Sequence, residues 1–481
     1  MSFSRFRWVF CQLEALRHCF PSNLRQFLKK LPDTLDETYE RMLRGINKAR
    51  ADDAYRLLQC LTVAVRPLHV EELAELLAFD FEASSSNGIP TLKEDWRWDD
   101  EEEAVLSTCS SFIAIVRDGR SRIVQFSHFS VKEFLTSPRL AQSPHGDVSQ
   151  FHIDLESAHT IMAQACLGTL LSLLRPDDHA GDSDAKGSPL VKYAAKHWVE
   201  HARFENVSSR VRDGMDDLFD NSKPHFAAWL QLHNMDEDWT LFSMDEEHHD
   251  VSPLYYAAFC GLYDLAERLI TKYPNQINAR GGRILAPLPA ALYKRHFHLA
   301  NLLHKHGADV DCRGDDMRTP LLSASVFGNS DVDVMRWLLN HGADANARNR
   351  WGSTSLERAA ANMQVEAVQV LLEHNADTNS QNDLGQTPLL ATIDWAKDTL
   401  DVARRLLEHG ADPNICSDSH STPLHEASSN GYLEVARLLL SYEAKVDAKN
   451  DKGRTPFQVA ASEGHHEITK LLLEHGAVPL P

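Results

Sequence analysis

The sequence predicts a mainly α protein: a solenoid of stacked helix pairs fills the C-terminal half, preceded by a helical connector and a small helix-and-hairpin domain. Three observations predict it. A Ser/Thr-Pro-Leu-like phrase recurs with its second residue at Pro253, Pro287, Pro320, Ser355, Pro388, Pro423 and Pro456, in steps of 34, 33, 35, 33, 35 and 33 residues. Internal repetition at such a period is the mark of a repeat architecture. The chain has 481 residues, well beyond the roughly 250–300 at which one hydrophobic core stops growing, so several modules are expected. A strand-like period surrounds Asp118-Gly119, a hairpin signal.

Each part of the repeat has a physical reason. Thr or Ser caps a helix N-terminus, and Pro fits the first turn, where its missing N–H has no partner to lose. Alanines follow and let helices approach closely. A Gly (Gly261, Gly328, Gly431, Gly464) then ends the first helix in a left-handed conformation. The second helix carries an apolar pair: Leu269/Ile270, Leu338/Leu339, Leu371/Leu372, Leu406/Leu407, Leu439/Leu440 and Leu472/Leu473. One repeat cannot bury that pair alone, so neighbours must stack. Units close on Gly307, Gly342, Gly410 or Gly476, and the two longer units place their extra residues at Asn329–Asp331 and Lys397–Thr399. Thr422-Pro423-Leu424-His425 carries the whole phrase of the ankyrin family, which the seven units resemble. The resemblance implies an ankyrin α-solenoid of seven repeats with β-hairpin tips. Departures at Arg295, Met363, Ala396 and His304 predict looser copies in units two, four and five. His306, His341, His374, His409 and His475 share one repeat position before the closing Gly or Asn375, where an imidazole bonds the helix-end carbonyls.

The N-terminal half reads as helices at Asp36–Ala49, Arg66–Phe79 (with Leu68, Leu73, Leu76 and Leu77) and Ala104–Ser110. The acidic run Asp99–Glu103 suits the positive end of the last of these. Strands at Phe112–Val116 and Ile123–Phe126 complete the plan of a winged helix. Phe126-Ser127-His128-Phe129-Ser130-Val131-Lys132-Glu133-Phe134-Leu135 resembles a phrase in the winged helix of NACHT-family signalling ATPases, in the version associated with GPI inositol-deacylase. Leu31–Tyr39 resembles the end of the helical domain in fungal NACHT–ankyrin proteins of the STAND type, and Tyr193–Ala202 resembles their helical connector. The resemblance implies that His128 senses a nucleotide phosphate across a domain interface. No GxxxxGK[ST] phosphate loop occurs in the sequence. The chain is therefore expected to begin after the ATPase core, with His128 left without its nucleotide. Residues 1–50 are read as a helical remnant, 51–145 as the winged helix, 146–250 as a helical connector interrupted by Pro176–Pro189, and 251–481 as the repeats.

Composition narrows the function classes. A formal net charge of −20 argues against nucleic acid, as do Glu71, Glu72 and Glu75 on a second helix (Val70–Ala78) that would otherwise face phosphate. Eight single cysteines form no CxxC pair, and no apolar run reaches the roughly 20 residues that span a bilayer. A cytoplasmic location follows by exclusion, with no membrane partner, no metal and no cofactor. His197-Trp198-Val199-Glu200-His201 matches an inverted zinc-peptidase phrase, but Trp198, Val199 and Ala202 make it a packed helix. The expected function is non-catalytic protein recognition along the concave face and the tips of the repeats. The tips present Arg348, Arg350 and Trp351, then Asp383 and Leu384, then Lys449, Asp451, Lys452 and Arg454. The alternative expectation is the sensor half of a nucleotide switch, with an NTPase-containing chain acting in trans.

Overall fold

The computed structural model describes residues 34–82, 88–119, 121–173, 188–233, 252–282, 284–314, 316–326, 331–395 and 400–479. The chain divides into two compact units, residues 1–246 with 262–269, and 247–261 with 270–481. Leu31–Asp33, Ala396, Lys397–Thr399 and most of Pro176–Pro189 lie outside the described residues.

In the first unit, α1 (Leu35–Arg44) starts where the Thr34 hydroxyl accepts the Glu37 N–H, and it ends at Gly45, short of the expected Ala49. A helix not foreseen, α2 (Ala51–Val63), follows. The expected helix from Arg66 to Phe79 is three pieces. Leu68–His69 is a strand, β1; α3 spans Val70–Glu75; and a 3₁₀ turn covers Leu76–Ala78. β2 (Phe79–Asp80) pairs with β3 (Thr91–Leu92). α4 (Glu101–Cys109) is capped by the Asp100 carboxylate and leads into β4 (Ile113–Asp118) and β5 (Ser121–Phe126). The sheet order is β1-β5-β4, all antiparallel, so β1 makes the third strand that the hairpin alone lacked. α5 (Phe129–Leu135) buries Val131, Phe134 and Leu135, and Tyr39 of α1 packs on Phe134 at 5.2 Å between ring centres.

Short helices α6 (Pro138–Ala141) and α7 (Gly146–Ser149) lead to α8 (Leu155–Ser172), α9 (Val191–Ala202), α10 (Val207–Arg210), α11 (Arg212–Leu218) and α12 (His225–Leu232). Trp198, Phe219 and Trp229 form their aromatic core, and the Trp229 indole N–H donates to the Ala195 carbonyl at 2.9 Å. Among the described residues no helix is long and apolar enough to cross a membrane.

Helix pairs follow in register with the sequence period. They are α13 (Pro253–Cys260) and α14 (Tyr263–Lys272), α15 (Pro287–Tyr293) and α16 (Phe297–Lys305), and α17 (Pro320–Val326) and α18 (Val332–Asn340). Then come α19 (Ser355–Ala361) and α20 (Val365–Glu373), α21 (Pro388–Trp395) and α22 (Leu400–Glu408), α23 (Pro423–Asn430) and α24 (Leu433–Ser441), and α25 (Pro456–Ser462) and α26 (His466–Glu474). Part of α14 groups with the first unit, where Arg268 pairs with Asp216 at 2.7 Å.

Gly261 and Gly431 end first helices with φ of 69° and 74°, and a Cβ on either would lie 2.6 Å from the imidazole of His296 or His465. Arg295 and Met363 hold the same left-handed turn at φ of 60° and 57°. Unit two also tolerates His304, which packs edge-on against Trp337 and His341. A second connection runs between repeats. The side chains of Asn278, Asp311, Asn346, Asn379, Asn414 and Asp447 accept the backbone N–H of Asp309, Asp344, Asp377, Asp412, Lys445 and Val478 in the following unit.

Candidate recognition surface at the repeat tips

The segment that precedes each first helix forms a tip. Three tips share one construction, Asn-x-x-Gly. The Asn349 side-chain oxygen accepts the N–H of Trp351 (2.9 Å) and of Ser353 (3.0 Å), and its backbone N–H donates to the Ser353 carbonyl. Asn382 does the same for Leu384 and Gln386, and Asn450 for Lys452 and Arg454. These asparagines were absent from the sequence reading, although they recur with the repeat period. No strand pairing is assigned at these tips among the described residues. The described residues of these tips form tight turns, each closed by its asparagine, and the expected β-hairpins are not seen among them.

Successive tips are tied together by one backbone bond each. Arg350 N–H donates to the Asp316 carbonyl (3.0 Å), Asp383 to Trp351 (3.1 Å), Asp418 to Leu384 (3.2 Å) and Asp451 to Ser419 (3.0 Å). The backbone of Trp351 is therefore fixed on both sides while its side chain remains 47% exposed. The Arg350 guanidinium lies 4.2 Å from the centre of the indole ring. Leu384 is 64% exposed at the next tip, and Met317, which the sequence reading missed, is 47% exposed at the preceding one. Met317 stands beside Asp316, which pairs with Arg318 at 2.9 Å.

The remaining expected residues divide into two groups. Arg348 is exposed and gives one N–H to the Gln381 carbonyl of the next repeat at 2.9 Å, while the Asp383 carboxylate lies back over Gly352. Lys449, Asp451 and Lys452 are exposed on the last tip. Arg454 differs. It turns toward Ser462 of its own first helix, and its carbonyl accepts from His425, so it braces the last repeat. The shared histidines behave as foreseen where their bonds are resolved. His341, His374, His409 and His475 each direct Nδ1 at the carbonyl four residues earlier, at 2.6–2.9 Å.

The candidates in the first unit are positioned as follows. His128 caps α5: its Nδ1 lies 2.6 Å from the Ser130 hydroxyl, which also meets the Tyr39 hydroxyl at 2.8 Å. The Glu71, Glu72 and Glu75 carboxylates do not form a free acidic face. Glu72 and Glu75 are buried and paired with Arg66 and Arg97, and Arg122 neutralises Glu71. His201 is fully buried with both ring nitrogens engaged, Nε2 with the Tyr193 hydroxyl (2.9 Å) and Nδ1 with His159 Nδ1 (3.0 Å). His197 turns away to Glu200 at 3.2 Å. Burial, followed by the neighbouring imidazoles, pushes the His201 pKa down to about 3.

Comparison with known proteins agrees with this architecture. Residues 288–382 and 389–480 match the family model of ankyrin repeats (3 copies). Residues 39–152 match that of the GPI inositol-deacylase, winged helix domain. The azaphilone pigments biosynthesis cluster protein L of Monascus ruber is 30% identical over 304 residues, 60% of this chain and 62% of that protein. The chain thus spans less than two thirds of that relative's length. The mouse ankyrin repeat and SAM domain-containing protein 6 is 32% identical over 106 residues, covering 22% of this chain and 12% of its own. Alpha-latrocrustotoxin-Lt1a of Latrodectus tredecimguttatus is 33% identical over 69 residues, 14% of this chain and 5% of the toxin.

Proposed function

We propose that this chain is a non-catalytic scaffold of seven ankyrin repeats that recognises a partner protein through its tips and concave face, in the cytoplasm and without cofactor, nucleic acid or membrane. The observation that carries this is Trp351, an exposed aromatic ring on a backbone fixed by its own turn and by both neighbouring tips. Exposed aromatics presented on rigid backbone are favoured anchors of protein interfaces, and rigidity lowers the entropy lost on binding. The rival reading, a nucleotide sensor served by an NTPase-containing chain in trans, rests on His128. Its Nδ1 is taken up in capping α5, which supports a structural role.

Trp351→Ala tests the proposal. Truncating a buried aromatic anchor costs about 2 kcal/mol or more of binding, so affinity for the natural partner should fall by at least about tenfold. The tip bonds are made by backbone and Asn349, so melting should change little. The measurement is quantitative capture by the 481-residue wild type and variant, with a melting curve for each. Equal capture by the variant, or loss of its folding, would remove Trp351 from the recognition surface.

A further inference from the structure

We propose that the ridge formed by the third, fourth and fifth tips binds an extended acidic segment of a partner protein, one with apolar residues about three positions apart. This rests on the reading of the tips as the recognition surface and names the chemistry that they select. Trp351 and Leu384 stand exposed at the same position of successive tips, and Met317 is exposed on the tip before them, one residue beyond Asp316, whose carbonyl takes the place of Trp351's in the chain of backbone bonds. A single exposed apolar residue is ordinary, whereas one on each of three successive tips with a fixed backbone suits a contact site.

The cations beside these residues point to the charge of the occupant. Arg313, Arg348 and Arg350 form no ion pair among the described residues. Arg313 and Arg348 each give an N–H to a carbonyl of the next repeat, and Arg350 lies over the Trp351 ring. Each keeps further N–H groups for a carboxylate, since a guanidinium carries five donors. Of the neighbouring acids, Asp316 is held by Arg318, the Asp383 carboxylate lies over Gly352, and Asp311 stands near Arg313. Asp315 lies outside the described residues. A cationic row on a chain of net charge −20 attracts an acidic segment to this place and repels it from the rest of the surface.

Geometry sets the spacing. Stacked helices lie about 8–10 Å apart and an extended chain rises about 3.3 Å per residue, so successive tips meet every third residue or so. Because the tips are already chained by the Arg350–Asp316, Asp383–Trp351 and Asp418–Leu384 backbone bonds, little ordering is left for binding to impose.

The test is selection of displayed random peptides of about twelve residues on the full chain, followed by binding of the enriched peptides to Trp351→Ala and Arg350→Glu. The expected result is a consensus rich in Asp and Glu with apolar residues three apart. Its affinity should fall about tenfold in either variant and weaken with salt. Melting curves confirm that both variants fold. A neutral or basic consensus that still needs Trp351 would overturn the acidic segment and leave the tips as the recognition surface. Peptides that bind Trp351→Ala as well as wild type would overturn both. Failure to enrich any peptide, or displacement of the peptides by single-stranded DNA, would overturn the acidic segment.

Discussion

Asn349, Asn382 and Asn450 show how one side chain builds a tip, and a second set of asparagines shows how one side chain joins repeats. Asn278, Asn379 and Asn414 accept the next repeat's N–H and also donate their amide to the carbonyl of Gly307, Gly410 and Glu443. Asp311 stands at the same position and can only accept. Both of its oxygens face the Asp344 N–H, at 3.1 and 3.2 Å. Burial raises its pKa, and the backbone bond from Asp344 offsets this only in part, with Asp344 and Asp309 adding repulsion. A raised carboxyl pKa means that the fold disfavours the charged form present at neutral pH. Asp311→Asn removes that charge and supplies the missing donor, so it should stabilise the repeats by about 1 kcal/mol, the worth of one hydrogen bond. Chemical denaturation at neutral pH measures it; unchanged or lower stability would show that Asp311 is already satisfied. The position was legible in the sequence as a period of Asn and Asp. The charge pairs of the first unit were not, because Glu75 meets Arg97 and Glu71 meets Arg122 across 22 and 51 residues.

At the scale of the element, a helix pair is specified by its phrase more firmly than by any one residue in it. Among the described residues α13, α15, α17, α21, α23 and α25 begin at the proline of the phrase, and Thr319, Thr354, Thr387 and Thr455 hydroxyls accept the N–H three residues on. Arg295 and Met363 keep the left-handed turn although a side chain there costs of order 1 kcal/mol or more. What holds them is burial of the second helix, where Leu302 and Leu303 after Arg295 are 7% and 0% exposed, and Leu371 and Leu372 after Met363 are 0% and 6% exposed. Leu372→Ala should therefore cost about 2–5 kcal/mol by opening a cavity. It should also melt the fourth and fifth pairs together, since repeats are stable only through their neighbours. Segment-resolved hydrogen exchange would show the loss centred on α20 and α22; a loss confined to α20 would contradict the coupling. These boundaries were readable because Pro, Thr and Gly mark them locally. The start of α2 was not, because its N-cap residue, Arg50, makes no side-chain cap bond and so leaves no signal.

The buried histidines of the two units differ, and each unit should therefore answer acid in its own way. In the first unit His201 is held neutral between Tyr193 and His159, with its pKa pushed down to about 3, and burial also lowers that of His159. In the unfolded chain these imidazoles take up protons near pH 6.5. Between about pH 6.5 and the lower folded value the unfolded chain binds more protons, so stability is present above that window and is lost as pH falls through it. In the second unit burial lowers the pKa of His425, but it raises that of Glu357, and Asp311 is raised as well. Carboxyls with raised values oppose the histidine, because protonating them relieves a buried charge. Acidification from about pH 7 to about pH 5 should therefore unprotect α8 and α9 well before α23 and α24. Hydrogen exchange on the full chain, corrected for the intrinsic rate at each pH, resolves the two regions. His201→Gln, which keeps a donor and an acceptor but cannot be charged, should flatten the pH dependence of the first unit and leave that of the second unchanged. If α23 and α24 lost protection first, or if His201→Gln kept the wild-type slope, the buried imidazole pair would not be the origin of the acid sensitivity.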